Sequence, residues 1–379
     1  MLLIPTIVAL RCPPRNASLE PDAALNTLLI LLAIPLILVA FSLWRARTIA
    51  RRHPPVGEFV DADRARLHIV RRPLKTAGTK PPVVFLHGAS GNLRDQMIPF
   101  ADHVAGRFDA LFIDRPGHGW SSRGGRENDT PFGQAQTIKA GLDALGIEMA
   151  FISGHSFGAA VALAFALRFP QRTAGILLLS PVSHPWPGGI EWHYRVAATP
   201  IVGALFAWTL TIPAGLARIR SASACVFTPN RMPDDYVDSA GIPLILRPKA
   251  FCDNARDISN LFDFVTQASA RYHEIATPTV IVTGDRDTIV WPKLHALGLK
   301  RSIANAELVW VRNLGHKPDY AATDLCIAAL EKLAGEERDL QALARAVERR
   351  LAADSHGRLD RCLDNGDAAA EAEALGRQT

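Results

Sequence analysis

The chain has 379 residues, of which 48% are hydrophobic and 21% are charged, and its formal net charge is +5. This length suits one large α/β domain with additions. The positive excess is small and forms no run of Lys and Arg interleaved with aromatic residues, which argues against a nucleic-acid partner. The five cysteines form no C-x-x-C or Cys/His pair, so we expect neither a disulfide framework nor a zinc site. They are Cys12, Cys225, Cys252, Cys326 and Cys362.

An apolar stretch follows the N-terminal segment 1–22: residues 23–44 contain no charged side chain. As a helix it would reach roughly 33 Å at ~1.5 Å per residue, enough to cross a bilayer, and Pro35 is tolerated there. Four arginines follow in the basic linker 45–56, against two before the stretch. This predicts a single-pass membrane protein whose folded domain lies on the cytoplasmic side. A cleaved signal peptide is the alternative, but the charges flank the wrong end of the apolar run.

After the linker, short apolar runs alternate with helical stretches, as in a parallel sheet that is covered on both faces. The first two runs alternate apolar and polar residues instead, which predicts an antiparallel pair. We expect strands at 57–60, 66–70, 81–86, 108–113, 149–152, 175–179, 279–282 and 307–311. We expect helices at 93–104, 132–145, 157–169, 292–303 and 319–333. Each polar motif follows a strand, at the edge where open α/β sheets bind ligands.

The sequence Gly154-His155-Ser156-Phe157-Gly158 is a G-x-S-x-G motif between a predicted strand and a predicted helix. A serine at such a sharp turn adopts strained backbone geometry, and small residues two positions before and after it let strand and helix approach. Its hydroxyl is then presented at a helix N-terminus, which favours a developing negative charge. Ser156 is therefore the candidate nucleophile.

A serine nucleophile needs a base that is itself oriented by a carboxylate. His316 follows a predicted strand and a glycine, on a loop before a helix, and is the candidate base. Asp285 and Asp287 both lie in the loop after the preceding strand, and we favour Asp287 because Asp285 lies nearer the strand end and suits a turn anchor. The loop after 175–179 contains no carboxylate, so it does not compete.

These motifs, together with His87-Gly88-Ala89 and Asp114-Arg115-Pro116-Gly117-His118-Gly119-Trp120-Ser121, resemble those of the α/β-hydrolase superfamily, and more narrowly its cap-bearing members. The resemblance covers roughly residues 57–333. It implies an α/β-hydrolase fold: a mostly parallel eight-stranded sheet with helices on both faces and a helical cap. It also implies that the backbone N–H groups of Ala89 and Phe157 form the oxyanion hole. Ser90 departs from the proline or glycine of many relatives, which leaves the substrate class open.

We interpret 57–183 and 273–334 as the two parts of the hydrolase core, separated by a cap at 184–272. Residues 197–217 within the cap are apolar and uncharged. They predict cap helices whose apolar face lines the pocket or rests on a bilayer, and a second transmembrane helix is the alternative. In the final segment, 335–379, one helical face carries an apolar stripe that packs on the domain or pairs with a second copy in a homodimer. We expect a disordered tail from residue 355. The stripe consists of Leu340, Leu343, Val347 and Leu351.

The resulting hypothesis is a membrane-anchored serine hydrolase that cleaves carboxylic esters, lipophilic ones included, through an acyl-enzyme on Ser156. No cofactor is implied and no metal site is suggested. Acyl transfer or perhydrolysis on the same triad is one alternative. A hydrolase-fold protein that binds a ligand without catalysis is another, although such proteins usually lack a triad member. The aspartate-nucleophile chemistries of related dehalogenases and epoxide hydrolases do not fit a serine. His87, His118 and His155 are interpreted as structural.

Overall fold

The computed structural model of the protein describes residues 21–74 and 80–354. The predicted N-terminal segment, apart from its last two residues, and the predicted disordered tail lie outside these ranges. Within them, the predicted fold class is confirmed: the chain forms an eight-stranded, mostly parallel sheet with helices on both faces.

The sheet has the strand order β1-β2-β4-β3-β5-β6-β7-β8. β1 pairs antiparallel with β2, and β2 pairs antiparallel with β4, while all other pairs are parallel. The strands are β1 (Glu58–Ala62), β2 (Ala65–Arg72), β3 (Val83–Leu86), β4 (Ala110–Ile113), β5 (Ala150–His155), β6 (Thr173–Leu179), β7 (Thr279–Gly284) and β8 (Ala306–Val311). All eight lie where the apolar runs predicted strands.

The apolar strands are buried on both faces because helices cover the sheet on each side. Successive residues alternate between the faces: Val84 and Leu86 join one core cluster, and Val83 and Phe85 join the other. The helices are α1 (Pro21–Arg52), α2 (Leu93–Val104), α3 (Pro131–Ala144), α4 (Phe157–Arg168), α5 (Trp192–Ala197), α6 (Ile201–Phe206), α7 (Ile212–Phe227), α8 (Tyr236–Ser239), α9 (Pro248–Ser269), α10 (Pro292–Ser302), α11 (Pro318–Ala321), α12 (Thr323–Leu333) and α13 (Leu340–Asp354). Side chains of α3, α4, α9 and α10 join the first cluster, and those of α2, α12 and α13 join the second.

The N-terminal helix α1 extends through Arg52, so residues 45–52 are helical rather than part of a linker. The physical reason is packing: Phe41 and Ala46 lie against an apolar cluster of α7, α9 and the turn between them. Ile49 is buried, and Arg52 forms an ion pair with Asp238 of α8. The helix is thus attached to the folded body over its last three turns.

The chain leaves the sheet between β6 and β7 and forms helices α5–α9, which correspond to the predicted cap. A π-helical turn, Ala207–Thr211, joins α6 to α7. By length and composition, two stretches of the described helices are apolar enough to cross a membrane, Ala33–Arg52 and Ile201–Phe227. Only 11% of the first apolar window and 28% of the second are buried, so neither is an ordinary core helix.

The C-terminal helix α13 packs on its own domain. Leu340, Val347 and Leu351 are buried in the core cluster that also contains Val309 and Val311 of β8. Of the two interpretations of the apolar stripe, packing on the domain is the one observed. The homodimer remains untested, but this face of the helix is already occupied.

Candidate active site

Ser156 lies at the turn between β5 and α4 with φ 53° and ψ −114°, a conformation that L-residues rarely adopt. The close approach of strand and helix requires its two glycines. A Cβ on Gly154 would lie 2.3 Å from the carbonyl oxygen of Gly158, and one on Gly158 would lie 2.3 Å from that of Leu86. The turn is therefore the strained strand-to-helix bend that the motif predicts.

Asp287 and His316 are joined by a hydrogen bond of 2.8 Å between His316 Nδ1 and Asp287 Oδ2. The second oxygen of Asp287 accepts hydrogen bonds of 2.9 Å from the backbone N–H groups of Ile289 and Val290. Both side chains are buried. Since the carboxylate accepts the Nδ1 proton, this tautomer leaves Nε2 of the imidazole as the basic atom.

Asp285, the alternative acid, has a different partner. Its Oδ1 accepts a hydrogen bond of 2.7 Å from the backbone N–H of Asn313. It therefore ties the β7 loop to the loop after β8, as expected of a turn anchor.

His155, the residue before Ser156, connects the strand-to-helix turn to the loop that carries His316. His155 Nε2 donates a hydrogen bond of 2.8 Å to the carbonyl oxygen of His316, and the two rings lie 4.8 Å apart. Burial, with contributions from Lys317 and His316, lowers the pKa of His155 well below its usual value, so this ring is neutral. Ser156 Oγ forms no hydrogen bond with His316 in the described chain, and such contacts often tighten only when substrate binds.

The segment after β3 lies directly beside the serine. A Cβ on Gly88 would be 3.3 Å from Ser156 Cβ and 3.0 Å from His155 Nδ1, a tight approach that glycine allows without displacing either side chain. The carbonyl oxygen of Gly88 accepts hydrogen bonds from His87 Nδ1 at 2.8 Å and from Arg115 Nη2 at 3.1 Å. Because C=O and N–H point in opposite directions across a trans peptide, these bonds fix the direction of the Ala89 N–H.

The second predicted oxyanion donor is the backbone N–H of Phe157, the first residue of α4. The first N–H groups of a helix have no partner within the helix and carry its positive dipole end. Phe157 thus follows Ser156 at the start of the helix, and Ala89 follows Gly88, which lies beside Ser156; that their N–H groups form the oxyanion hole stays a prediction.

Arg115, which the sequence analysis names only as part of the motif Asp114–Ser121, supports this arrangement. Its side chain is fully buried, and Nε donates a hydrogen bond of 2.9 Å to the carbonyl of His87. Asp257 of the cap helix α9 accepts a bond of 2.8 Å from the same guanidinium, as does Gln134 of α3. Spacing in the sequence gives no sign of this network, because Asp257 lies far along the chain from Arg115.

Side chains of the cap also contact Ser90, which lies in the segment after β3 and has a φ of 58°, in the left-handed region. Its N–H donates a hydrogen bond of 2.7 Å to Asn254 Oδ1, and its Oγ accepts one of 3.1 Å from Asn254 Nδ2. The hydroxyl of Tyr194 on α5 lies 3.4 Å from Ser90 Oγ. Two cap helices thus contact the loop that carries the candidate oxyanion donor.

A buried cluster of charges lies behind the histidine loop. Lys317 Nζ lies 3.0 Å from both oxygens of Asp95 and 2.9 Å from Asp319 Oδ2. Burial lowers the pKa of Lys317, but attraction to Asp319 and Asp95 outweighs it, and the net shift is upward. Asp95, His155 and Asp319 form a group with metal-ligand spacing, within 4.8 Å of one another. Because the ammonium already pairs with both carboxylates, we interpret the group as an internal ion-pair cluster.

Comparison with known proteins agrees with this fold. Residues 81–200 match the family model of the alpha/beta hydrolase fold. The chain is 24% identical over 278 residues to a 2-hydroxy-6-oxo-6-phenylhexa-2,4-dienoate hydrolase of Burkholderia cepacia, covering 71% of this chain and 92% of that protein. It is 34% identical over 158 residues to the dihydrolipoyllysine-residue acetyltransferase component of the acetoin cleaving system of Cupriavidus necator, but spans only 40% of that relative's length and 40% of its own.

Among solved structures, the enol-lactonase of Burkholderia xenovorans LB400 superposes with a TM-score of 0.60 at 20% identity, covering 74% of this chain and 100% of that one. At that identity, the likeness shows the fold alone. The sheet topology and the family model agree: the chain has the alpha/beta hydrolase fold, and the proteins to which it is similar over most of their length are hydrolases.

Proposed function

We propose that the protein is a serine hydrolase that cleaves carboxylic esters through Ser156, His316 and Asp287. The observation that carries the proposal is the buried 2.8 Å hydrogen bond between His316 and Asp287, on a loop that the neighbour of the strained Ser156 contacts directly. A base oriented by a carboxylate is what a serine hydroxyl needs to become a nucleophile.

In the proposed mechanism, Ser156 Oγ attacks the ester carbonyl while His316 Nε2 takes its proton. Asp287 keeps the Nδ1 proton in place and stabilises the imidazolium that forms. The N–H groups of Ala89 and Phe157 bind the oxyanion, each worth about 3–4 kcal/mol of the barrier. His316 then protonates the leaving alcohol, and water releases the acid from the acyl-enzyme by the same route.

We further propose that α1 anchors the protein in a membrane, with its arginine-rich C-terminal end and the catalytic domain on the cytoplasmic side. The length and apolar composition of Ala33–Arg52 support this, as does the exposure of Leu36 and Ile37. Four arginines follow the apolar part, which favours cytoplasmic placement of that end.

The test is hydrolysis of p-nitrophenyl esters of increasing chain length by the full chain in detergent, beside Ser156→Ala. We expect turnover that the substitution abolishes. A lactone and a 2-hydroxy-6-oxodienoate belong in the panel because similar proteins carry those names. Release of p-nitrophenol at equal rates from both proteins would contradict the proposal.

A further inference from the structure

Five large apolar side chains of the cap are exposed within a short stretch of chain. Single exposed apolar residues are ordinary, but a contiguous group marks an interaction surface. We call this group the cap face. It consists of Trp192 (65% exposed), Ile201 (84%), Val202 (61%), Leu205 (59%) and Leu210 (46%).

The cap face adjoins the helix that we propose as the anchor. Phe41 and Ala46 of α1 pack on the cluster that contains Ile212 and Leu216 of α7. Both helices reach the body at their C-terminal ends, where Arg52 pairs with Asp238 and Phe227 packs on Tyr236. The C-terminal half of α1 therefore lies against the helix that follows the cap face in the chain, while Leu36 and Ile37, nearer the start of α1, are exposed.

The cap stretch, like residues 23–44 of α1, lacks charged side chains. Residues 196–217 contain no Asp, Glu, Lys or Arg, and the exposed arginines Arg195 and Arg218 stand at its two ends. Long basic side chains at the ends of an apolar segment extend their charge to the headgroup region of a bilayer. A groove of about 530 Å³ beside Arg195, lined also by Trp192, Val196, Thr199 and Val202, opens on this surface.

The cap face is also close to the candidate oxyanion loop. Trp192 contacts Phe206 with ring centroids 6.0 Å apart, and Phe206 lies 6.4 Å from Phe251. The ring of Phe251 lies 6.0 Å from that of Tyr194, whose hydroxyl is 3.4 Å from Ser90 Oγ. A succession of aromatic side chains thus links the exposed surface to the loop beside Ser156.

We propose that the cap face is embedded in the lipid bilayer beside α1, and that the substrate is an ester dissolved in that bilayer. The inference rests on the proposed anchor and on the proposed ester hydrolysis. The occupant is lipid rather than a second copy of the chain, because the turn that carries Leu210 packs against the proposed anchor α1 and the charge-free stretch ends in an arginine at each side.

The first test measures contact with lipid without relying on activity. An environment-sensitive fluorescent amino acid replaces Leu205 in the full chain, reconstituted in phosphatidylcholine vesicles with and without brominated acyl chains. Position 37 on α1 is the matched test of the anchor. Met149, which is 44% exposed and directly precedes β5 at the amino ends of the parallel strands, is the control. We expect bromine quenching at 205 and 37 and none at 149.

Quenching at 37 without quenching at 205 would overturn the cap-face proposal while the anchor stands. Quenching at neither position would overturn the anchor as well. A change at 205 that follows protein concentration, with no quenching by bromine, would assign the face to a second copy and overturn the proposal too.

The second test compares two substrates. In Ile201→Glu/Leu205→Glu, we expect hydrolysis of a long-chain ester embedded in vesicles to fall at least tenfold, and hydrolysis of water-soluble p-nitrophenyl acetate to stay within twofold. Met149→Glu should retain both activities. Equal rates on the vesicle ester for the double variant and the parent would overturn the proposal. A parent that cleaves neither ester would refute ester hydrolysis, and the quenching result would still decide the cap face.

Discussion

Asp285 and Asp287 lie two residues apart on one loop, yet they have different partners. Asp287 holds the imidazole of His316, whereas Asp285 accepts a backbone hydrogen bond from Asn313. The two aspartates therefore differ in their hydrogen-bond partners, and a substitution of each one can separate the two roles.

We predict that Asp287→Asn lowers kcat by about 10³–10⁴-fold, because an amide favours the wrong tautomer of His316. Asp285→Asn keeps kcat within a few-fold, since it changes only a loop contact. The measurement is kcat for p-nitrophenyl butyrate in both variants. A comparable loss in Asp285→Asn, in a protein that remains folded, would refute the assignment of the acid.

Arg115 acts on the candidate oxyanion hole through the carbonyls of His87 and Gly88. Arg115→Lys keeps the charge opposite Asp257 but cannot form the same fork of hydrogen bonds. We predict that kcat falls about tenfold with KM little changed, because the Ala89 N–H is less precisely oriented in the transition state.

Arg123→Lys is the matched control for this prediction. Arg123 also pairs with Asp257, at 2.6 Å, but donates to the carbonyl of Pro116 rather than to the oxyanion loop. Steady-state kinetics of both variants decide the matter. If Arg123→Lys lowers kcat as much as Arg115→Lys does, the effect belongs to the buried ion pair and not to the oxyanion loop.

Sequence reasoning identified the residues that carry a local signature. Ser156 stands in its glycine frame, and His316 and the two aspartates follow strands. It did not identify Arg115, Asn254 or Asp257 as supports of the site. Their roles depend on α9 returning to the β3 loop after more than a hundred residues, and a contact of that range leaves no trace in local spacing.

At the scale of elements, the turn that carries Ser156 requires β5, α4 and β3 to approach until their backbones are in contact. Gly154 touches the backbone of Gly158, and Gly158 touches that of Leu86. Backbone atoms cannot rotate away as a flexible side chain can. A methyl group added at Gly154 or Gly158 must therefore displace a strand or the helix.

We predict that Gly154→Ala lowers the free energy of unfolding by about 1–3 kcal/mol, the usual cost of overpacking. Gly189→Ala, where an added Cβ would meet nothing within 4 Å, should leave it unchanged. Urea unfolding followed by circular dichroism measures both. Equal midpoints for the two variants would mean that strand and helix are not in the close contact described.

The elements themselves were predictable because fully buried strands are short and wholly apolar. Each of the eight strands overlaps its predicted run, and the order of helices and strands follows. The end of α1 was not predictable: residues 45–52 are polar and basic, and their helical state depends on packing of Phe41, Ala46 and Ile49 on the cap. That α13 packs on its own domain was not predictable either, because it depends on where β8 places Val309 and Val311.

At the scale of the whole molecule, the described chain holds five histidines as neutral rings, of which four are buried and His184 is half-buried. Burial is the main cause that lowers the pKa of each, to about 4 for His184 and about 3 for His295. The five are His87, His118, His155, His184 and His295. Above pH 6.5 these rings are neutral in both states and do not affect stability. As the pH falls below 6.5, the unfolded chain binds protons that the folded protein does not, and the folded state loses stability.

We predict that the free energy of unfolding falls between pH 7 and pH 5, and that His295 contributes about 2 kcal/mol of that fall, since its pKa is about 3 in the folded state. In His295→Asn the fall should be smaller by about that amount. His273→Asn, at an exposed position, should show the fall of the parent. Urea unfolding at the two pH values gives the difference, and identical falls in parent and His295→Asn would show that His295 does not stay neutral in the folded state.

The proposed function, like the further inference drawn from it, requires that Ser156 is an activated nucleophile. The most direct measurement is reaction of the full chain with a fluorophosphonate, followed by peptide mass spectrometry. We predict one covalent adduct, on Ser156, that disappears in Ser156→Ala and forms at least a hundredfold more slowly in His316→Gln. A folded protein that forms no adduct, or that is labelled at another residue, would contradict the account.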